Sequence, residues 1–75
     1  MGKGDAGRRV RHARQLRGMT VRALAEQLGR TTGTVYRWEQ ARRDPCLDDL
    51  RAIAALLDVE LGWLVSGRGA MRLVA

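Results

Sequence analysis

MTVRALAEQLGRTTGTVYRWE, residues 19–39, is the stretch on which the fold turns. Thr20 stands where a helix N-cap belongs, and Val21, Leu24, Ala25 and Leu28 follow at i, i+3, i+4 and i+7, the spacing that gathers apolar side chains on one helical face. Gly29, with no Cβ, supplies the turn that stops the run. Thr31 then caps a further helix running to about Gln40. A connection this short leaves no room for antiparallel packing, so the two helices must cross steeply. Ala25 suits that crossing, because a larger side chain there would push the second helix away.

At about 100° per residue the second of these helices divides into two arcs. Thr31, Val35 and Trp38 fall on one and are expected in the core. Thr32, Gly33, Tyr36, Arg37 and Gln40 fall on the other and are expected to be free. The free arc carries hydroxyls, a guanidinium and an amide, the groups that read donors, acceptors and thymine methyls on base edges in a major groove. A merely solvated face would have the same polarity; the capped, steep turn ahead of it favours the reading helix.

Outward from this pair, residues 8–17 form a basic helix whose Val10, Ala13, Arg14 and Leu16 outline a modest apolar stripe, ended by Gly18. Beyond the breaker Asp44-Pro45, the residues Leu47, Leu50, Ile53, Ala54 and Leu57 repeat the helical spacing, with Asp48 and Asp49 placed to favour the helix dipole in the first turn. Cys46 takes the cap position there, and Asp49 three residues on completes a capping-box spacing with a weak acceptor. Residues 61–65 allow one or two turns before Ser66-Gly67. The expected organisation is a mobile basic arm over 1–7, a domain over 8–67 and a tail over 68–75 whose conformation the sequence leaves open.

Seventy-five residues make one domain, and a chain with no Phe, one Tyr and one Pro suits helices better than sheets. The fold class expected is therefore all-α, with five helices. The formal charge is +6 and is unevenly spread: residues 1–43 hold eleven Lys/Arg against Asp5, Glu26 and Glu39, a balance of +8, whereas residues 44–75 balance at −2. A polyanion would meet the N-terminal half. The lone Cys46 excludes an intramolecular disulfide and a cysteine-based metal cluster, and fits a reducing interior. No apolar run approaches the roughly 20 residues of a membrane span, and MGKGDAGRR lacks the apolar core of a signal peptide, so a cytoplasmic protein is expected. His12 has no second His or Cys for a metal site. An enzyme reading fails on inventory: Ser66 has only His12 as a base, no glycine-rich phosphate loop is present, and Asp48, Asp49, Asp58 and Glu60 suit helix ends. No cofactor is implied. A membrane-surface role is disfavoured because the narrow apolar stripe of the first helix is needed for the core.

Several spaced points carry a resemblance: Gly18 with the Thr20 cap, Leu24-Ala25, Leu28-Gly29, Val35 with Trp38, Arg37-Trp38-Glu39, Pro45, Leu47, Leu50 and Trp63-Leu64-Val65-Ser66-Gly67. Together they cover nearly all of residues 8–67, and the chain resembles the lambda-repressor-like, Cro-type helix-turn-helix regulators of phage and bacteria, the XRE family. The resemblance implies a compact five-helix DNA-binding domain and a transcriptional regulator of repressor type. It carries base contacts over to Thr32, Gly33, Tyr36 and Arg37. Gly33 departs from the pattern, since it offers no side chain to a base and weakens its helix by about 1 kcal/mol relative to Ala; readout then falls on Thr32, Tyr36 and Arg37, or on close backbone approach. Val21 departs as well, standing where relatives carry a phosphate-anchoring Gln, a role for which Thr20 and Arg22 are the replacements. Exposed N–H groups at the two helix starts attract anions, and the phosphate-contacting set is Thr20, Val21, Arg22, Arg30, Thr31, Gln40, Arg42 and Arg43. Arg14 and Glu39 match positions that pair as ions in the family.

Such a domain reads only a few base pairs, so the resemblance further implies a homodimer on palindromic half-sites about 34 Å apart. The surfaces available for pairing are the fifth helix and the tail, with Trp63, Met71, Leu73 and Val74, and a core role for Trp63 is equally open. A different duty for the same fold is that of an antitoxin that masks a toxin and autoregulates through the helix-turn-helix. For that duty only 1–7 and 68–75 are spare.

Overall fold

Two threonine hydroxyls open the central helices. Thr20 is extended, and its Oγ1 accepts from the Ala23 N–H at 3.0 Å, starting α2 (Val21–Leu28). Gly29, in the left-handed region at φ 67°, ends it. Thr31 repeats the device, accepting from the Thr34 N–H at 3.2 Å to start α3 (Thr32–Glu39). Around this pair lie α1 (Asp5–Leu16), α4 (Leu47–Leu57) and α5 (Leu61–Ser66), in the computed structural model that describes residues 5–69 and 71. Among the described residues the fold is all-α with five helices, as the periodicity predicts.

Helix α1 lies across α3, α4 and α5, while α2 packs on α3 and α4. Their shared core is Val10 and Ala13 of α1, Leu24 and Ala25 of α2, Val35 and Trp38 of α3, Ile53 and Leu57 of α4, Val59, and Leu64 of α5. Tertiary packing of this kind, rather than intrinsic propensity, is what stabilises helices as short as eight residues.

Three expectations are corrected. Helix α1 begins at Asp5 rather than residue 8, so residues 5–7 belong to the domain and not to an arm; Met1 and Lys3 lie outside the described residues. The reason is Gly7, which is buried where α1 crosses α3: a Cβ there would overlap the Trp38 carbonyl oxygen and stand 2.6 Å from its carbon. Leu16 and Leu47, expected on core stripes, are 55% and 51% exposed. Each occupies the terminal position of its helix and overhangs the packed layer. Cys46 occupies the cap position of α4 but makes no cap bond; its Sγ lies 3.1 Å from Asp49 Oδ2, to which it donates.

The arginines of α1 and of the turn that follows it tie the fold together. Arg9 donates through Nε to the Leu64 carbonyl and through Nη2 to the Val65 carbonyl, each at 2.8 Å, closing the carboxyl end of α5. Arg17 does the same for α4, reaching the Leu57 carbonyl at 2.7 Å and that of Asp58 at 3.1 Å. Between them Arg14 donates twice to Glu39, Nε to Oε2 and Nη2 to Oε1, both at 2.8 Å, while its Nη1 reaches the Met19 carbonyl. The hydrogen bond to Glu39 raises the Arg14 pKa above the ordinary guanidinium value, outweighing the opposing effect of burial. A raised value means that the stabilisation is complete below the ordinary guanidinium pKa and is lost only as pH climbs above it, in strong alkali. Beyond α5 the chain returns, the Glu60 N–H donating to the Met71 carbonyl at 2.7 Å with Met71 packed against the core. Leu73 and Val74 lie outside the described residues.

Two substitutions probe this scaffold. Gly7→Ala should destabilise the domain by about 3 kcal/mol, because backbone rather than a flexible side chain blocks the added methyl; a Tm equal to that of the unsubstituted chain would contradict the close crossing of α1 and α3. Glu39→Ala strips a buried guanidinium of its partner and should cost about 3–5 kcal/mol in thermal or urea unfolding. A loss under about 1 kcal/mol would mark the pair as solvent-screened.

Candidate nucleic-acid interface

Helix α3 presents a sorted surface. Val35 and Trp38 are buried at 0% and 1% exposure, whereas Tyr36 is 51% exposed and Thr32, Arg37 and Gln40 also face outward. Thr31, expected in the core arc, is exposed instead, because its hydroxyl is engaged as the cap and with Thr34 Oγ1 at 3.0 Å. Gly33 is half-buried on the outward side. Nothing in the fold requires a glycine there: its φ is not left-handed, and the nearest atom to an added Cβ would be Arg37 Nη2 at an ordinary 3.8 Å.

The carboxyl end of α3 holds two further cations in place. Ala41 turns the chain through the left-handed region at φ 61°, and the N–H groups of Arg42 and Arg43 then return to the Arg37 carbonyl at 2.9 and 3.2 Å. The backbone of Arg42 and Arg43 is thus fixed against the last turn of α3, while both side chains stay exposed.

At the start of α2 the sequence-predicted residues divide. The Thr20 hydroxyl is committed to the cap, and the Val21 side chain is buried in the core, leaving only its N–H as a donor to a ligand. Arg22 pairs with Glu26 along its own helix at 3.3 Å, an exposed contact worth little. Arg30 pairs with Asp49 of α4 at 2.9 Å. Thr20, Val21, Tyr36 and Gln40 come together around one cleft, also lined by Arg11, Arg14 and Glu39. Arg30 and Arg43 line a separate hollow on the α4 side. Of the predicted phosphate residues, Thr20, Val21 and Gln40 thus share one cleft and Arg30 and Arg43 the other, while Arg22, Thr31 and Arg42 line neither.

The basic charge of the N-terminal half is also divided. Arg9, Arg14, Arg17, Arg22 and Arg30 are bonded to carbonyls or carboxylates of the fold. Arg8, Arg11, Arg37, Arg42 and Arg43 make no side-chain hydrogen bond or ion pair among the described residues and keep their donors for a partner. Arg11 was not singled out by sequence reasoning. The signal that could have found it is its place three residues before Arg14, which puts both on one side of α1.

Among the described residues no helix is long and apolar enough to cross a membrane, and no cluster of three or more His, Cys, Asp or Glu could hold a metal. No curated protein matches the chain in sequence. The sequence does match the family described as helix-turn-helix domain, over residues 5–68. That span begins where α1 begins, includes all five helices, and contains the capped α2–α3 turn with the whole outward face of α3. The chain belongs to the helix-turn-helix domain family, and with it to the DNA-binding regulators.

Proposed function

We propose that this chain is a sequence-specific regulator of transcription that reads the major groove of duplex DNA with α3 and acts as a repressor by occupying its site. The observation that carries the reading is the sorting of α3: Val35 and Trp38 are buried behind it while Thr32, Tyr36, Arg37 and Gln40 stand outward. In this assignment Thr32, Tyr36 and Arg37 contact base edges by hydrogen bonding and apolar contact, and Gly33 contributes closeness of approach. Phosphates are met by Arg42, Arg43 and Gln40 at the end of α3, by Arg22 and Arg30, and by the amide groups at Thr20, Val21 and Thr31. Arg22 exchanges a weak exposed carboxylate partner for a phosphate when it does so, whereas Arg30 must leave Asp49, whose side chain is largely buried.

Binding as a homodimer on a palindrome follows from the small number of base pairs that one α3 can span. The pairing surface in this reading is α5 together with the tail. Val65 of α5 is 44% exposed and available for it, whereas Met71 packs on its own core and contributes little. Trp63 is partly buried against that core as well and offers only its outer edge.

Selection of duplexes from a random pool at about 150 mM salt, where nonspecific attraction is weakened, should return a palindromic consensus. On that consensus Arg37→Ala should relax the preference at one base position by about 1–3 kcal/mol, while Arg43→Ala should weaken all sequences alike. A pool that shows no enrichment, or an Arg37→Ala loss equal on every sequence, would remove base reading by α3. A second substitution separates folding from binding. Gly33→Ala has room for its methyl and should raise stability by about 1 kcal/mol through helix propensity, yet weaken specific binding by holding α3 away from the groove floor. Affinity unchanged or improved alongside the higher Tm would show that Gly33 has no part in the approach.

A further inference from the structure

The cleft between α1, the start of α2 and α3 has a volume of about 360 Å³ and is lined by Arg11, Arg14, Tyr36, Glu39 and Gln40 as well as Thr20 and Val21. Its electrostatics are lopsided. Arg14 and Glu39 form its inner wall, but their charges cancel in the bidentate pair, and their side chains are only 11% and 5% exposed. Arg11 is the remaining ion among the lining residues, and its guanidinium has no partner among the described residues. The net charge of the lining is therefore +1, carried by one exposed guanidinium whose donors are unused among the described residues.

Two lining residues connect this cleft to the reading face. Tyr36 and Gln40 belong to the outward arc of α3 and also to the cleft, so a group seated there stands one side chain away from the groove-facing surface. The Tyr36 hydroxyl and the Gln40 amide are neutral donors of the kind that complete the coordination of an anion. We infer that this cleft is a phosphate site in which Arg11 of α1 grips one backbone phosphate of the bound duplex, assisted by Tyr36 and Gln40. The inference rests on the DNA reading above and extends it to α1, a helix that otherwise serves only the scaffold. A guanidinium suits the task because its planar fork matches two phosphate oxygens at once. It also explains how the fold manages with an apolar Val21 at the start of α2: the anchoring charge comes from the neighbouring helix instead.

The full chain carrying Arg11→Gln should be compared with the unsubstituted chain and with Arg51→Gln, which removes an exposed charge of α4 outside the cleft. Binding to a labelled consensus duplex and to a scrambled one is followed by fluorescence anisotropy as salt is raised. Arg11→Gln is expected to weaken both duplexes and to lower the slope of log affinity against log salt by about one. Its Tm should be unchanged, since the side chain makes no hydrogen bond or ion pair among the described residues. Arg51→Gln should leave the slope as it was. An unchanged slope for Arg11→Gln, while Arg43→Ala lowers it, overturns the cleft assignment and leaves the DNA reading standing. An equal fall for Arg51→Gln overturns it too, by showing that general charge alone is felt. Thermal shift with inorganic phosphate against chloride of matched ionic strength distinguishes the other source of the ligand: stabilisation that needs Arg11 without any change of DNA slope would assign the site to a free phosphate compound and overturn the duplex assignment. Absence of duplex binding by the unsubstituted chain would end the DNA reading and this inference together.

Discussion

The bond between Arg14 and Glu39 is the constraint on which the arrangement depends. Helix α3 has eight residues, too few to persist alone in water. It is held from behind by Val35 and Trp38, and at its last turn by a carboxylate locked to α1 through two hydrogen bonds. Apolar contacts alone would allow α3 to roll about its axis. A bidentate, nearly dry ion pair does not, because any rotation would leave a buried charge without its partner. The direction in which the Thr32, Tyr36 and Arg37 side of α3 points is thus settled on α1, and Gly7 lets the two backbones approach closely enough for the pair to form.

Arginine performs different work according to what surrounds it. On α1 and in the turn that follows it, Arg9 and Arg17 close the carboxyl ends of two other helices, Arg14 orients a third, and Arg8 and Arg11 face solvent. The strong positive balance of the N-terminal half is therefore not all available as an electrostatic footprint, since much of it neutralises carbonyl dipoles and carboxylates inside the domain. The unspent guanidinium groups are concentrated on α1 and around the carboxyl end of α3, which gives the molecule a directed field in place of a diffuse one.

The central motif was legible because its determinants are local. Thr20, Gly29 and Thr31 act on groups within a few residues of themselves, and the positions of Leu24, Ala25, Val35 and Trp38 follow from helical period alone. The division of α3 into an anchored and a free arc was legible for the same reason, Thr31 excepted, whose cap duty competes with burial. What escaped was long-range or positional. Periodicity places Leu16 and Leu47 on apolar stripes but cannot say where the neighbouring layer stops. A glycine such as Gly7 has the same appearance in a mobile arm and in a close helix crossing. The partners of Arg9 and Arg17 lie 55 and 40 residues along the chain, and no local pattern distinguishes such a bond from a solvated charge. Arg11 escaped because a cleft is a property of three helices together, and each contributes only one or two of its walls.

The two arginine closures also bear on how the molecule is assembled. Arg9 of α1 and Arg17 just beyond it donate to carbonyls of residues 57, 58, 64 and 65, which are 40 to 56 residues later in the chain. Helical domains usually gain their speed from contacts between near neighbours in sequence. Here the bonds from Arg9 and Arg17 must wait for α4 and α5, so this clasp closes only after both later helices are in place. A chain ending before α4 would keep the Arg14–Glu39 bond that orients α3 but would lack Ile53, Leu57 and Leu64 from the shared core.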